Sequence, residues 1–389
     1  MGICLWWKGR TVEVRRRRSK SVIHRYYDVE DRRSGLTVNP YVGCSHRCIY
    51  CYATFDWAKE FHDVVEAKVN APEVLSSELA TWKERTVEPV FLSTATDPYQ
   101  PIEGALGLTR RVVKVLQSSG IPYYVFTKSA AIVRDLDLHA GYRDKCAVVW
   151  SLTTVDEELK RSIEPGASSA RGVLIAMRRF ADAGVRVGVN VDPVLPGLTD
   201  NRDGIAELLA ASRNSGASFA YNGVLRLRGD IWNRLREFLS SRGMYEVIGI
   251  MERLYFEEGR RIGPYRIPPE RYVDGISAVV RETAESLGMR YGIPVGEGED
   301  VAPVDRWRTL PLTRYLSMEE AGPRDAAPTR RARDPREARP RSRRRAPAAM
   351  VRPCGIPLTG ARRAGHPPFR SAPRGRAGPP DSRVSSPHP

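Results

Sequence analysis

The 389-residue chain has only six cysteines, and of these only Cys44, Cys48 and Cys51 stand close together. So few, so unevenly spaced, do not read as a disulfide framework; the cluster of three suggests metal binding or redox chemistry. No apolar run approaches the roughly 18 residues needed to span a bilayer. The first residues, MGICLWWKGR, lack the apolar stretch of a signal peptide. Trp6 stands where a myristoylation signal wants Ser or Thr. These absences predict a soluble, cytoplasmic protein with no membrane partner. A GxGxxG turn, a second CxxC pair and an internal repeat are also missing.

Acids are in deficit as well, 46 against 62 Lys and Arg, for a formal net charge of +16. Taken whole, that surplus suggests a nucleic-acid binder. Along the chain it is uneven. Residues 321–389 hold 17 Arg and 4 acids, residues 1–33 hold 10 bases and 4 acids, and residues 34–320 hold 35 bases and 38 acids. The stretch long enough to fold is therefore near neutral, and the basic character belongs to the two ends. Residues 321–389 also carry 14 of the 29 prolines and one aromatic, Phe369. Such a segment buries too little apolar surface to offset its ordering entropy and is expected to be disordered. A nucleic-acid arm, a solvating tail and wrong-frame read-through of GC-rich DNA all stay open for it.

What the chain does have, from 34 to 230, is alternation of β-rich runs with helical patterns. The runs are LTVNPYVG (36–43), VFLSTAT (90–96), YYVFTKS (123–129), AVVWSLT (147–153), VRVGVNVDPV (185–194) and FAYNGVLRL (219–227). Between them, Leu108, Val112 and Leu116 share a helix face closed by Gly120, and Val173, Met177 and Phe180 share another closed by Gly184. Six such units predict a parallel sheet, better as an incomplete α/β barrel, a partial (β/α)6 TIM-type fold, than as a Rossmann sheet. Residues 231–320 read as an appended helical region, with GPYRIPP as a turn. The expected domains are thus a basic leader (1–33), the partial barrel (34–230), the helical region (231–320) and the tail (321–389).

Polar residues gather where the strands end: Cys44, then Thr96 and Asp97, Lys128 and Ser129, Ser151 and Thr153, and Asp192. In parallel barrels that edge is the active face. The chemistry centres on NPYVGCSHRCIYCYATF, where the cysteines make CxxxCxxC. Three thiolates on a tight loop can hold three irons of a cubane and leave the fourth open. A zinc knuckle is the competing reading; it needs a fourth ligand, and His46, His62, His139 and Cys146 lie at no established zinc spacing. Cys146 itself, opening the fourth strand, is expected in the core.

The signature, with Tyr50 as the aromatic before the third cysteine, resembles that of radical S-adenosylmethionine (SAM) enzymes, and the loop follows the first strand as in that family. Over roughly residues 36–200 the chain is similar to the spore photoproduct lyase-like branch, often labelled DNA repair photolyase, through NPYVGCSHRCIYCYA, STATDPYQPIE, FTKS, VVWSLTT, IEPGASS and VDPVLPG. The resemblance implies a four-iron four-sulfur cluster on Cys44, Cys48 and Cys51 that binds SAM and yields a 5′-deoxyadenosyl radical. It implies cofactor contacts from Tyr50 against adenine, from Thr96 and Asp97, from Lys128 and Ser151 toward the carboxylate or ribose, and from Asp192. Each has a plainer alternative: Asp97 before Pro98 shaping a turn, Ser151 satisfying backbone, Lys128 as a surface charge. The Glu164, Pro165, Gly166 stretch resembles the family too, with a pure loop fold as its plainer role.

One departure matters. Lyases of this branch keep a cysteine at the second strand end as hydrogen donor, where this chain has Thr94. A hydroxyl O–H bond is too strong to serve that way. Tyr52 matches a tyrosine linked to hydrogen relay and is the one catalytic candidate; packing is its plainer role.

The resemblance further implies an electron donor such as a flavodoxin or ferredoxin. Nucleic acid is an expected partner through the basic ends, with Arg15, Arg16, Arg17, Arg18 and Lys20 gripping phosphates and Trp6, Trp7, Tyr26 and Tyr27 stacking on bases. A flexible leader whose aromatics pack on the barrel is the alternative. The competing function class is a non-catalytic cysteine-knuckle module docking on nucleic acid.

Overall fold

The computed structural model describes residues 3–27, 33–54, 61–81 and 89–295, and the backbone of 314–316. The tail at 321–389, with Cys354 and Phe369, and the side chains of Tyr26 and Tyr27 lie outside the described residues.

The N-terminal segment is not a disordered leader. It forms β1 (Ile3–Trp7), β2 (Arg10–Arg17) and β3 (Ile23–Tyr27). On β2, Val12 and Val14 are buried while Thr11 and Arg15 face solvent, the period-two pattern of a half-buried strand. Two of the arginines have acidic neighbours, Arg15 on Glu13 at 2.7 Å and Arg17 on Glu66 at 2.8 Å. The run of four arginines hid this alternation.

The chain continues through β4 (Arg33–Val38), β5 (Tyr41–Val42) and β6 (Val64–Lys68), and one small sheet has the order β1-β2-β6-β5. Then follow β7 (Val90–Leu92), β8 (Tyr123–Thr127), β9 (Cys146–Ser151), β10 (Arg186–Val194) and β11 (Phe219–Val224). A hairpin of β12 (Arg260–Ile262) and β13 (Tyr265–Ile267) occupies the stretch expected to be a simple turn. Then come β14 (Arg290–Tyr291) and the antiparallel pair β15 (Ile293–Val295) and β16 (Arg314–Leu316).

The large sheet has the order β14-β11-β10-β9-β8-β7-β4-β3, parallel throughout except for the β3–β4 pair. All six expected strands are in it. β14 is a seventh parallel strand, paired to β11 through Phe219↔Arg290, so the C-terminal region returns to the sheet and is not only an appended set of helices.

β9 reads CAVVWS and is buried along Cys146–Trp150, as a strand covered on both faces should be. On its outer side lie the two amphipathic helices. Leu108–Ser118 buries Leu108, Val112, Val113 and Leu116; Ala170–Asp182 buries Val173, Met177 and Phe180 and starts at Ser169, whose Oγ accepts from Gly172 N at 3.1 Å. Fully burying a side chain of that size contributes about 1.5–3 kcal/mol. Gly120 and Gly184 end the helices at φ of 74° and 75°.

On the inner side, strand register aligns Phe126, Val149, Gly188 and Phe219 in one row. A Cβ at Gly188 would lie 2.3 Å from the Phe219 ring, so the glycine makes room for it. Two residues further along their strands, Ser151 and Asn190 are register partners, and Lys128 follows Phe126 in the same phase. The sheet thus delivers Lys128, Ser151 and Asn190 to one face at its C-terminal edge. Among the described residues no helix is long and apolar enough to cross a membrane.

Candidate active site

The cysteine loop leaves β5 through Gly43, at φ 83°, where a Cβ would stand 2.2 Å from Val64 O. Backbone bonds then tie the loop down on several sides: Cys44 N to Phe61 O at 3.0 Å, Ile49 N to Ile163 O at 3.0 Å and Gly166 N to His46 O at 2.8 Å. Gln100 accepts from Ser45 N and donates to Gly43 O, each at 3.1 Å. Gly166 packs so closely that a Cβ would be 2.3 Å from Ser45 O and 2.6 Å from His46 Cα.

Cys44 and Cys48 are buried and Cys51 is half-buried. Burial pushes all three thiols up, Cys44 to about 12; Asp97 adds to it at Cys44 and Glu164 at Cys48, with a smaller contribution there from neighbouring thiolates. A bound cation would reverse that balance. Among the described residues no three His, Cys, Asp or Glu side chains converge on a single-ion site. Of the candidates for a fourth zinc ligand, His139 bonds Tyr99 OH at 3.1 Å and Tyr123 OH at 3.0 Å, His46 Nδ1 lies 3.4 Å from Asp97, and His62 Nδ1 bonds Cys44 O at 2.8 Å while its Nε2 is buried without a hydrogen-bond partner. Cys146 is buried core, as expected.

Beside the loop lies a buried charge network around Glu164. Its carboxylate accepts from Tyr50 OH, from Lys160 Nζ and from Thr153 Oγ1 at 2.7 Å, and Lys128 Nζ stands 3.2 Å away. Burial alone would push the Glu164 carboxyl up, but Lys128 and Lys160 outweigh it and hold it well below the usual range. The same pair acts on Lys128: burial favours the neutral amine, Glu164 prevails, and its pKa is raised. The Lys128 ammonium also lies 3.4 Å from Ser151 O, 3.2 Å from Asp192 O and 5.4 Å from the centre of the Tyr50 ring.

The expected site residues divide accordingly. Tyr50, Lys128, Ser151 and Asp192 come together. Asp192 is half-buried, accepts from Asn190 Nδ2 at 3.2 Å, and has its carboxyl pushed up by burial. Thr96 and Asp97 are turned into the protein. Thr96 Oγ1 donates to Tyr41 O at 3.4 Å. Asp97 accepts from Tyr99 N at 2.8 Å, Thr127 Oγ1 at 2.9 Å and Lys128 N at 2.7 Å, strapping the second strand end to the third. Tyr52 is 48% exposed, and its hydroxyl donates to Thr94 O. Thr94 Oγ1 itself lies 3.0 Å from Thr37 Oγ1.

Sequence reasoning placed Thr153 at a strand end and named Glu164, but missed Lys160 and one further group. Glu164, Thr153 and Lys160 form the charge network, and the i,i+4 spacing of Lys160 and Glu164 was a visible signal. Arg228, Asp230 and Arg234, at the start of the helix Gly229–Ser240, bind the back of the cysteine loop. Here too the spacing of Asp230 and Arg234 was visible, although their target was not.

Residues 38–209 match the radical SAM superfamily. The chain is 35% identical over 291 residues to an uncharacterized protein of Mycobacterium tuberculosis, covering 72% of this chain and 81% of that one. It is 25% identical over 188 residues to a radical SAM Nalpha-GlyT isomerase of Pseudomonas phage M6, covering 46% and 38%. In fold it is similar to spore photoproduct lyase complexed with dinucleoside spore photoproduct, with TM-score 0.56, 14% identity and coverage of 72% and 81%. A variant of that lyase with AdoMet and the dinucleoside bound gives 0.55 and 15%, over 72% and 80%.

Proposed function

The chain belongs to the radical SAM superfamily, and from that membership we propose an enzyme whose Cys44, Cys48 and Cys51 hold the four-iron four-sulfur cluster and whose C-terminal sheet edge holds S-adenosylmethionine. The observation that carries this is the set of three cysteines, two buried and one half-buried, on one loop at the C-terminal end of a parallel sheet. A cubane, whose three irons each take one thiolate, fits that donor set. Asn190 Oδ1, buried without a hydrogen-bond partner beside Ser151, suits a polar ligand there. When bound, the cluster and SAM supply reductive cleavage of the sulfonium and a radical that abstracts hydrogen.

The chain's own residues bind and orient. Tyr50, Ser151 and Asp192 line the cofactor space. Lys128, fixed by Glu164, gives that space a positive wall suited to a carboxylate. Thr96 and Asp97 act through the strand ends they hold in place. Tyr52, at the exposed rim, is the candidate for hydrogen relay. Thr94 stands where a thiol donor would be needed for lyase-type repair, so the reaction outcome differs from that repair.

The parallel sheet supports a partial (β/α)6 barrel extended by β14. A low-potential flavodoxin or ferredoxin is the electron donor, in a cytoplasmic setting that keeps the thiols reduced. Nucleic acid is the substrate class we favour. The β1–β2 turn docks on the loop behind the cysteines, Trp7 Nε1 to Gly166 O at 3.2 Å and Lys8 Nζ to Ala167 O at 2.8 Å, and leaves Trp6 69% exposed and open to stacking.

Anaerobic reconstitution tests the enzyme. A brown protein that forms 5′-deoxyadenosine under reductant, and loses that product when the three cysteines become alanine, is expected. One tightly bound zinc and no such product would overturn it.

A further inference from the structure

Behind the cysteine loop, two guanidinium groups and one carboxylate form a compact unit. Arg234 donates through Nε to Ile49 O at 2.9 Å and through Nη2 to Cys51 O at 3.0 Å. Arg228, 7% exposed, donates through Nη1 to Tyr52 O at 3.0 Å. Asp230 pairs with both, at 3.1 Å from Arg234 Nη1 and 2.9 Å from Arg228 Nη2. Thr54 Oγ1 closes the unit, donating to Asp230 at 2.8 Å. Three consecutive-region carbonyls around the third cysteine are thus held by partners about 180 residues later in the chain.

The charge does not cancel. Asp230 is held low, at about 2, by its arginine partners against the opposing effect of burial, so it stays ionised. Two cations against one anion leave a net positive charge against the backbone of the segment carrying Cys51. Fixed positive charge beside a redox centre stabilises whichever state carries the extra electron. The planar fork of each guanidinium also fixes its acceptors in a set geometry, where a lysine offers a single rotatable ammonium.

Resting on the cluster assignment above, we propose that Arg228, Asp230 and Arg234 are positioning residues that lock the third cysteine and raise the cluster's reduction potential, easing its one-electron reduction by a flavodoxin or ferredoxin. The net charge sets the potential, while the fork sets the retention of iron. These two effects separate experimentally.

The test is an EPR-monitored redox titration of the anaerobically reconstituted full chain, with iron content measured in parallel. Arg234→Met removes the charge and the fork: at a matched potential its reduced-to-oxidised ratio falls by about tenfold, 59 mV for a one-electron couple, and iron is lost faster. Arg234→Lys keeps the wild-type potential but loses iron like the Met variant. Asp230→Asn leaves both cations and shifts the potential the opposite way, upward, which keeps the test decisive if Arg234→Met does not fold. An unchanged midpoint in a folded, iron-loaded Arg234→Met protein, or a downward shift in Asp230→Asn, overturns the proposal. A wild-type chain that reconstitutes no cluster signal overturns the enzyme assignment itself, a distinct outcome.

Discussion

The Lys128 ammonium and the Glu164 carboxylate form a buried ion pair at 3.2 Å that joins the third strand end to the segment packed behind the cysteines. Lys160 shares the same carboxylate. Two ammonium groups share one carboxylate, an excess of one positive charge within this trio that the Asp192 carboxyl, pushed toward its neutral form by burial, offsets only in part, beside Tyr50 and the backbone oxygens of Ser151 and Asp192. In a low-dielectric site that excess favours an anionic group on a ligand. Lys128 therefore has a structural role that does not need it to be a free surface charge, and under the proposed function the same ammonium would face the ligand.

Glu164→Gln should be severely destabilising. It would strand two buried ammonium groups and leave Tyr50 OH and Thr153 with a weaker acceptor. Breaking a buried pair from one side costs about 3–5 kcal/mol, to be measured by urea unfolding of the full chain. A loss below about 1 kcal/mol would mean that the network is not closed as described.

Gly166→Ala would place a methyl group against Ser45 O and His46 Cα, both backbone atoms of the cysteine loop. Because backbone cannot rotate away, the loop must move, at about 1–3 kcal/mol, and iron retention after reconstitution should fall with it. Gly104→Ala is the control, since nothing lies within 4 Å of a Cβ there. Equal iron retention in the two variants would defeat the close-contact account.

The six strands were readable because each is a short apolar run with two covered faces, as in CAVVWS and VRVGVNVDPV. β14 was not, because two residues, Arg290 and Tyr291, make no pattern and are recruited by the pairing of β11. Nor were the N-terminal strands, where Val12 and Val14 alternate correctly but the arginines dominate the composition. At the site, the cysteines were legible from spacing alone. The partners of Arg228 and Arg234 were not, since backbone carbonyls at Tyr52 and Cys51 leave no trace in side-chain chemistry. Asp97 was legible as a strand-end candidate for a ligand contact, and the fold adds what position alone did not show, three donors from its own chain on its oxygens.

That difference for Asp97 can be measured. Asp97→Asn would turn an amide N–H toward donors and leave at least one unmet, costing about 1–3 kcal/mol of stability. The dissociation constant for SAM, read on the reconstituted variant, should change by less than about threefold, well under the 1.4 kcal/mol that a tenfold change represents. Unchanged stability with strongly weakened SAM binding would restore the ligand-contact reading.

Acid sensitivity should follow from His139. It is fully buried, its two ring nitrogens bond Tyr99 OH and Tyr123 OH, and burial lowers its pKa to about 4 despite the opposing pull of Asp135 and Asp137. In the unfolded chain the same imidazole protonates near 6.5. Between these values the unfolded state binds one more proton than the folded state, so this contribution is fully present above about pH 6.5 and is lost as the pH falls toward 4. One proton corresponds to a slope of about 1.4 kcal/mol per pH unit within that window. Urea unfolding at a series of pH values should therefore show stability declining below about 6.5, and His139→Gln, although less stable at neutral pH, should flatten the decline by up to that amount. Parallel pH profiles for the two proteins would mean that His139 takes up its proton in the folded state, against the burial that its two tyrosine partners enforce.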